Sequence, residues 1–259
     1  SLPIVPAVLS AQIIDLSDRV FIENYFSNTE LGLYSLAYTI AAVVLVITEA
    51  FKKAYDPFFY KIANSYNKEK AKKTLINTNE LYYLVTIFIC FCIALVSKEM
   101  IFWFFPKSYF ISYKIVPIIS LAYAFSKISG LINLSFYQEK ETLKLMNLSI
   151  CAAILNIGLN IILIPPYGYY GAAIATLITF VFMFFLKYHF SRKHYFLPIN
   201  MKLLLKMIFL MAVFYFFFEN FTNLSMVYSF LIKIIVILIM SISIFLFKKT
   251  QFKEILNHE

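Results

Sequence analysis

Residues 155–176 of this chain read LNIGLNIILIPPYGYYGAAIAT, the sequence of one apolar helix, a tight turn and the start of a second helix. Asn156 and Asn160 lie four residues apart, so both amides share one helix face and can bridge to a neighbouring helix. The two prolines at 165 and 166 end the first helix, and Gly168 permits a sharp reversal. The second helix opens with small residues that let two backbones approach closely in lipid: Gly171, Ala172, Ala173, Ala175 and Thr176. The stretch therefore predicts a transmembrane helical hairpin.

The composition is that of an integral membrane protein. Of the 259 residues, 61% are hydrophobic and only 14% are charged, whereas a soluble domain carries roughly 25% charged residues. Continuous apolar runs such as 207–218 exclude a transmembrane β-barrel, whose strands alternate. We predict an all-α polytopic membrane protein with eight transmembrane helices, near residues 2–24, 31–56, 75–97, 110–134, 143–164, 171–190, 203–219 and 226–247.

The basic residues predict the orientation of these helices. If the connections alternate sides, one side carries fourteen lysines and arginines, Lys187 among them, and the other carries only Lys98 and Lys107. By the positive-inside rule, the side with fourteen basic residues is cytoplasmic. An even number of helices then places both ends of the chain on that side. The net charge of +9 is thereby explained by topology, and no nucleic-acid partner is expected. The chain also starts at Ser1 with an apolar helix and no basic flank, which we interpret as the start of a fragment rather than a signal peptide.

Three segments share features with one family of transporters. The order N-x-x-x-N, P-x-G, G-A-A-x-A-T in residues 156–176, the DRVFI of residues 18–22 and the AYDPFFY of residues 54–60 resemble polysaccharide flippases, the Wzx-type branch of the MOP (MATE-like) superfamily. The resemblance implies two six-helix lobes related by a pseudo-two-fold axis, often with two added helices. Residues 1–191 would be the C-terminal lobe, residues 192–259 would hold the added helices and a cytoplasmic tail, and the N-terminal lobe of the same protein would be missing.

The same resemblance implies a function. Such a protein would move undecaprenyl-diphosphate-linked oligosaccharide repeat units, as in O-antigen and lipopolysaccharide biosynthesis, across the cytoplasmic membrane by alternating access. Its partners would be the lipid-linked oligosaccharide, membrane lipids and a coupling H⁺ or Na⁺, without a cofactor. The alternatives are a multidrug or lipid II exporter of the same superfamily, a polytopic enzyme such as an O-antigen polymerase, and a truncated chain that folds without activity.

Polar residues in the first helix form the strongest candidate site. One arc of the helical wheel, about 140° wide, contains Gln12, Asp15, Asp18, Arg19 and Glu23. Asp15 precedes Arg19 by four residues, the favourable order for an ion pair. In one interpretation Arg19 faces a water-filled cavity and attracts a diphosphate, while the aspartates orient it or bind a coupling cation. In the other, the three charges form a structural ion-pair cluster between helices.

Further candidates lie on later helices. Glu49 and Lys52 are either cavity residues at the inner gate or snorkelling charges near the membrane surface, and the spacing allows the pairs Glu49–Lys53 and Lys52–Asp56. Lys127 shares a face with Ser120 and Tyr123 and can line the same cavity. Asn156 and Asn160 are interpreted as interhelical contacts, and Lys233 as a snorkelling residue without function.

Signatures of catalysis are missing from the sequence. The three histidines and three cysteines lack metal-ligand spacing, and neither a Walker motif nor a nucleophile elbow nor HExxH occurs. We therefore expect a transporter without catalytic residues, bound metal or cofactor.

The predicted topology can be tested by cysteine labelling of a protein that contains this chain. With the three native cysteines replaced, single cysteines at Asn67 and at Lys249 should be shielded from an impermeant thiol reagent in intact cells, and one at Tyr169 should be labelled. Permeabilised cells serve as the control, because all three positions should then react. Labelling of position 67 from outside intact cells would overturn the helix assignment.

Overall fold

A computed structural model describes residues 4–65, 67–193, 199–221 and 225–256, and every regular element among them is helical. The α-helices are α1 (Ile4–Tyr25), α2 (Asn28–Ala41), α3 (Val43–Ala63), α4 (Lys68–Phe104), α5 (Val116–Gln138), α6 (Thr142–Ser191), α7 (Met201–Phe221) and α8 (Met226–Leu256). A 3₁₀ helix, Lys107–Lys114, joins α4 to α5. The predicted all-α polytopic fold is confirmed.

Within the described part of the chain, six helical stretches are long and apolar enough to cross a membrane: Asn28–Ala63, Lys68–Phe104, Val116–Gln138, Thr142–Ser191, Met201–Asn220 and Met226–Leu246. The first combines α2 and α3, since Ala42 between them keeps helical backbone angles. The described chain therefore contains α1, of 22 residues, beside these six stretches. Four charged residues interrupt the apolar sequence of α1: Asp15, Asp18, Arg19 and Glu23. For this reason α1 is not one of the six apolar stretches.

The helix α6 is two antiparallel helices. Its 50 residues would extend about 75 Å if straight, far more than a bilayer core. The backbone reverses at Gly168, with φ 55° and ψ −139°, in a region that favours glycine. The Asn156 amide then donates to the Thr179 hydroxyl at 3.3 Å, which pairs residues 142–167 with residues 169–191. The predicted hairpin is confirmed, and the total becomes eight membrane-length segments.

The bundle is built around the two halves of α6, which pack against α1 and α5. Large side chains that are fully buried in this core come from four helices: Ile14, Tyr34, Phe136 and Phe184. On the other side, α4 contacts both α7 and α8, which leave many of their apolar side chains exposed. The predicted division of the chain between residues 191 and 192 stays a prediction, and residues 194–198, shortly after it, lie outside the described residues.

A buried ion pair fixes α8 to α4. The Lys233 ammonium lies 2.6 Å from the Glu99 carboxylate, with side chains only 3% and 2% exposed, and the Ser229 hydroxyl donates to the same oxygen at 3.1 Å. The interpretation of Lys233 as a snorkelling residue is therefore wrong. Its ammonium is held by a carboxylate from another helix, so it has no need to reach the membrane surface.

Close packing at the hairpin gives a test of the fold. A methyl group at Gly171 would lie 2.1 Å from the Leu163 carbonyl oxygen, so Gly171→Ala must push the two halves of α6 apart. We expect a loss of about 1–3 kcal/mol in stability, measured as a lower thermal midpoint of a purified protein that contains this chain. Gly158→Ala is the matched control, because a methyl group there meets no atom within 4 Å. Equal midpoints for the two variants would contradict the described hairpin.

Candidate substrate cavity and polar cluster

A cavity of about 320 Å³ opens between α1, α3, α5 and both halves of α6. Its charged lining residues are Asp15, Lys127 and Lys187. The uncharged polar side chains that line it are Tyr123, Ser126, Asn133, Tyr137 and Ser149. Of the two ammonium groups in the lining, only that of Lys187 has no carboxylate partner among the described residues, and an unpaired cation of this kind suits an anionic ligand.

Lys127 is held in place by a partner from α3. Its ammonium donates to the Glu49 carboxylate at 2.8 Å. Because the Glu49 side chain is 46% exposed, the pair keeps one side open to solvent. Lys52 pairs instead with Asp56 on its own helix, as the spacing predicts, and neither Glu49 nor Lys52 is part of the cavity lining. Among the described residues, no ion pair joins Glu49 to Lys53.

Tyr38 contacts both Asp15 and Arg19 of α1. Its hydroxyl donates to the Asp15 carboxylate at 2.7 Å, and the Arg19 guanidinium carbon lies 5.1 Å from the centre of its ring, a cation–π distance. The Asp15–Arg19 ion pair predicted from spacing does not occur in the described structure, because α2 supplies this phenol to both groups. The Arg19 Nε atom is buried and has no hydrogen-bond partner there.

Asp18 is the centre of a buried polar cluster. Its side chain is 0% exposed. One carboxylate oxygen accepts from the Tyr34 and Thr176 hydroxyls, both at 2.6 Å, and the other accepts from the Asn160 amide at 2.7 Å. The carboxylate thus contacts α2 and both halves of α6. Three donors compensate the burial of this charge without any cation, so the described cluster is not the ion-pair cluster that the second interpretation expected.

The two asparagines of the hairpin extend this cluster. The Ser17 hydroxyl donates to the Asn156 carbonyl oxygen at 2.8 Å, and the Asn160 amide also donates to the Ser17 hydroxyl at 3.2 Å. Both side chains are fully buried and bond across helices. The prediction that Asn156 and Asn160 act as interhelical contacts is confirmed. The Asn160 carbonyl oxygen itself is buried and has no hydrogen-bond partner in the part of the chain that the structure describes.

The structure separates the sequence candidates into three groups. Asp15 and Lys127 line the cavity. Asp18 and Arg19 lie on α1 one turn beyond Asp15, outside the lining, and the roles proposed for them stay predictions. Gln12 is exposed on the surface of α1.

Lys187 is the cavity residue that sequence analysis missed. It was counted among the cytoplasmic loop cations, yet it is only 4% exposed and lines the cavity with Phe180 and Met183. The sequence contains an indication of this burial, since positions 180, 183 and 187 share one helix face and the first two are apolar.

Comparisons with known proteins agree with this architecture. A relative from Haemophilus influenzae, the Lsg locus putative protein 1, is 29% identical over 136 residues, which are 49% of this chain and 31% of that protein. The solved structure of a lipid II flippase MurJ in an inward closed conformation superposes with a TM-score of 0.58 at 22% identity. That superposition covers 94% of this chain and 52% of the solved one, so the chain spans about half of that protein.

The family comparison extends over most of the chain. The model for the lipid II flippase MurJ family matches residues 9–237, from the first half of α1 into α8. The match includes most of the cavity lining, the Asp18 cluster and the hairpin of α6. This chain belongs to the lipid II flippase MurJ family.

Proposed function

We propose that this chain is part of a flippase that carries a polyprenyl-diphosphate-linked sugar precursor across the cytoplasmic membrane by alternating access. The observation that supports this most is the cavity with the Lys127 and Lys187 ammonium groups, set between α1, α5 and α6 of a chain in the MurJ family. A diphosphate is anionic at neutral pH, and ammonium groups inside a low-dielectric bundle attract it more strongly than they would in water.

Within this class, we favour lipid II over the O-antigen repeat unit. The description of the matched family names lipid II, and none of the comparisons names an O-antigen or a lipopolysaccharide precursor. This preference replaces the expectation of a Wzx-type substrate drawn from the sequence. Both kinds of precursor link a sugar to a polyprenyl chain through a diphosphate, so the same cavity cations serve either one. A multidrug substrate would lack this shared anionic group.

The geometry suggests how the headgroup is recognised. Arg19 is oriented by the Tyr38 ring, and its Nε–H has no partner among the described residues. A guanidinium with free N–H groups can contact two phosphate oxygens at once, which a single ammonium cannot do. Lys127 adds a point charge within the cavity, held in place by Glu49. We therefore assign Arg19 and Lys127 to the diphosphate and the neighbouring polar side chains to the sugar.

Coupling to H⁺ or Na⁺ stays a prediction, as do the cytoplasmic location of both chain ends and the absence of enzymatic activity. Asp18 is the residue to which we assign the coupling role, because its buried carboxylate joins α1, α2 and α6. Protonation or a bound cation would change how strongly the three donors are held. Such a change can shift the equilibrium between two packings of the bundle.

The leaflet in which the substrate accumulates tests the function. Cells that lack the complete protein should accumulate intact lipid-linked precursor on the cytoplasmic leaflet of the membrane. Intact spheroplasts probed with an impermeant glycosidase or lectin report this location, with lysed spheroplasts as the control. A polymerase defect would instead leave single units on the outer leaflet, already translocated, and that result would replace the flippase assignment by the enzyme alternative.

Arg19 gives a residue-level test in the full-length protein. Arg19→Ala should abolish export while protein abundance stays near normal, and Arg19→Lys should retain part of the activity because charge remains without bidentate geometry. The matched control is Arg192→Ala. Arg192 also stacks on a tyrosine, at 5.4 Å from the Tyr188 ring, but it is exposed near the end of α6. Normal export by Arg19→Ala, or a loss of abundance alone, would favour a structural role.

A further inference from the structure

Lys187 is a buried cation without a partner. It is 4% exposed, and within the described residues its ammonium takes part in no hydrogen bond or ion pair. The only other charged side chains that line the cavity are Asp15, which accepts from Tyr38, and Lys127, which donates to Glu49. An unpaired buried charge lowers the stability of a fold. A residue of this kind is explained if its partner is a ligand.

A second unsatisfied group lies in the same cavity. The Asn133 carbonyl oxygen is buried and has no hydrogen-bond partner among the described residues, and Asn133 lines the cavity together with Lys187. Its amide group can turn to present N–H donors, since the two orientations of a carboxamide have the same shape. An ammonium and an amide are suited to the oxygens of a phosphate.

The depth of Lys187 distinguishes it from Lys127. Lys187 lies four residues before the end of α6, and Lys127 lies eleven residues before the end of α5. At 1.5 Å per residue, these positions are about 6 Å and about 16 Å from the helix ends. Both ends lie on the side that the lysine distribution predicts to be cytoplasmic. Lys187 is therefore the cation nearest to the cytoplasmic end of the cavity.

We propose that Lys187 and Asn133 form an entrance site that binds the diphosphate of the lipid-linked precursor before Lys127 and Arg19 take it deeper into the bundle. This inference rests on the proposed function, and it assigns a binding role to Lys187 that the rest of the cavity does not need. It also has a consequence for stability. The free ammonium is a cost to the empty protein, so replacing it by an apolar side chain of similar length should stabilise the fold while weakening diphosphate binding.

The experiment compares full-length protein and its Lys187→Met variant in lipid nanodiscs, with undecaprenyl diphosphate as the probe. We expect the variant to bind the probe about tenfold more weakly or worse, the equivalent of losing one charge-assisted hydrogen bond, and to have a higher thermal midpoint. Lys187→Arg should retain binding. Lys72→Met is the matched control, because Lys72 is exposed at the start of α4 and its loss should change neither quantity.

Each other result has a defined meaning. Unchanged probe binding by Lys187→Met would overturn the entrance site alone, provided the wild-type protein binds. A lower thermal midpoint or a misfolded variant would also overturn it, because Lys187 would then have a structural partner. Inorganic diphosphate should compete with the probe on the wild-type protein. Failure to compete would mean that the polyprenyl chain alone holds the probe, and failure of the wild-type protein to bind any probe would overturn the proposed function as well.

Discussion

A carboxylate that is removed from both water and lipid headgroups must find hydrogen-bond donors inside the protein, and Asp18 finds three of them. Tyr34 comes from α2, and Asn160 and Thr176 come from the two halves of α6, so one side chain fixes the positions of three helices relative to α1. This requires Asn160 and Thr176 to face each other, which in turn requires the chain to reverse between them. The turn at Gly168 is therefore a precondition for burying the charge.

The buried polar groups of the bundle differ in how fully they are paired, and even helix-joining residues such as Glu99 and Asn160 keep one oxygen without a partner among the described residues. The Glu99–Lys233 pair is buried and bonded, and it connects helices. Lys187, the Arg19 Nε and the Asn133 carbonyl oxygen are also buried, yet they have no partners in the described structure. Retaining such groups costs stability, and this cost is typical of sites that gain their partner from a ligand.

Local spacing was sufficient to predict the helices, the hairpin and the interhelical role of Asn156, because small residues, prolines and glycine act on their own backbone. It was insufficient wherever a residue on another helix decides the outcome. A helical wheel places Asp15 and Arg19 on one face, but it cannot show that Tyr38 contacts both. Likewise, counting loop cations assigns Lys187 to the cytoplasm, while its burial depends on the helices packed around the end of α6.

If the chain acts as proposed, its cavity must release the anion that it binds, and this limits how strongly the cavity can hold that anion. A single cluster of unpaired cations would bind a diphosphate tightly and slow its release, whereas separated cations allow the anion to move between weaker sites. In the described cavity, the cations are separated. Lys127 already shares its charge with Glu49, and Lys187 stands apart from it at another depth. Under the proposed function, this partial neutralisation and separation of charge would divide the affinity among sites that the headgroup reaches one after another.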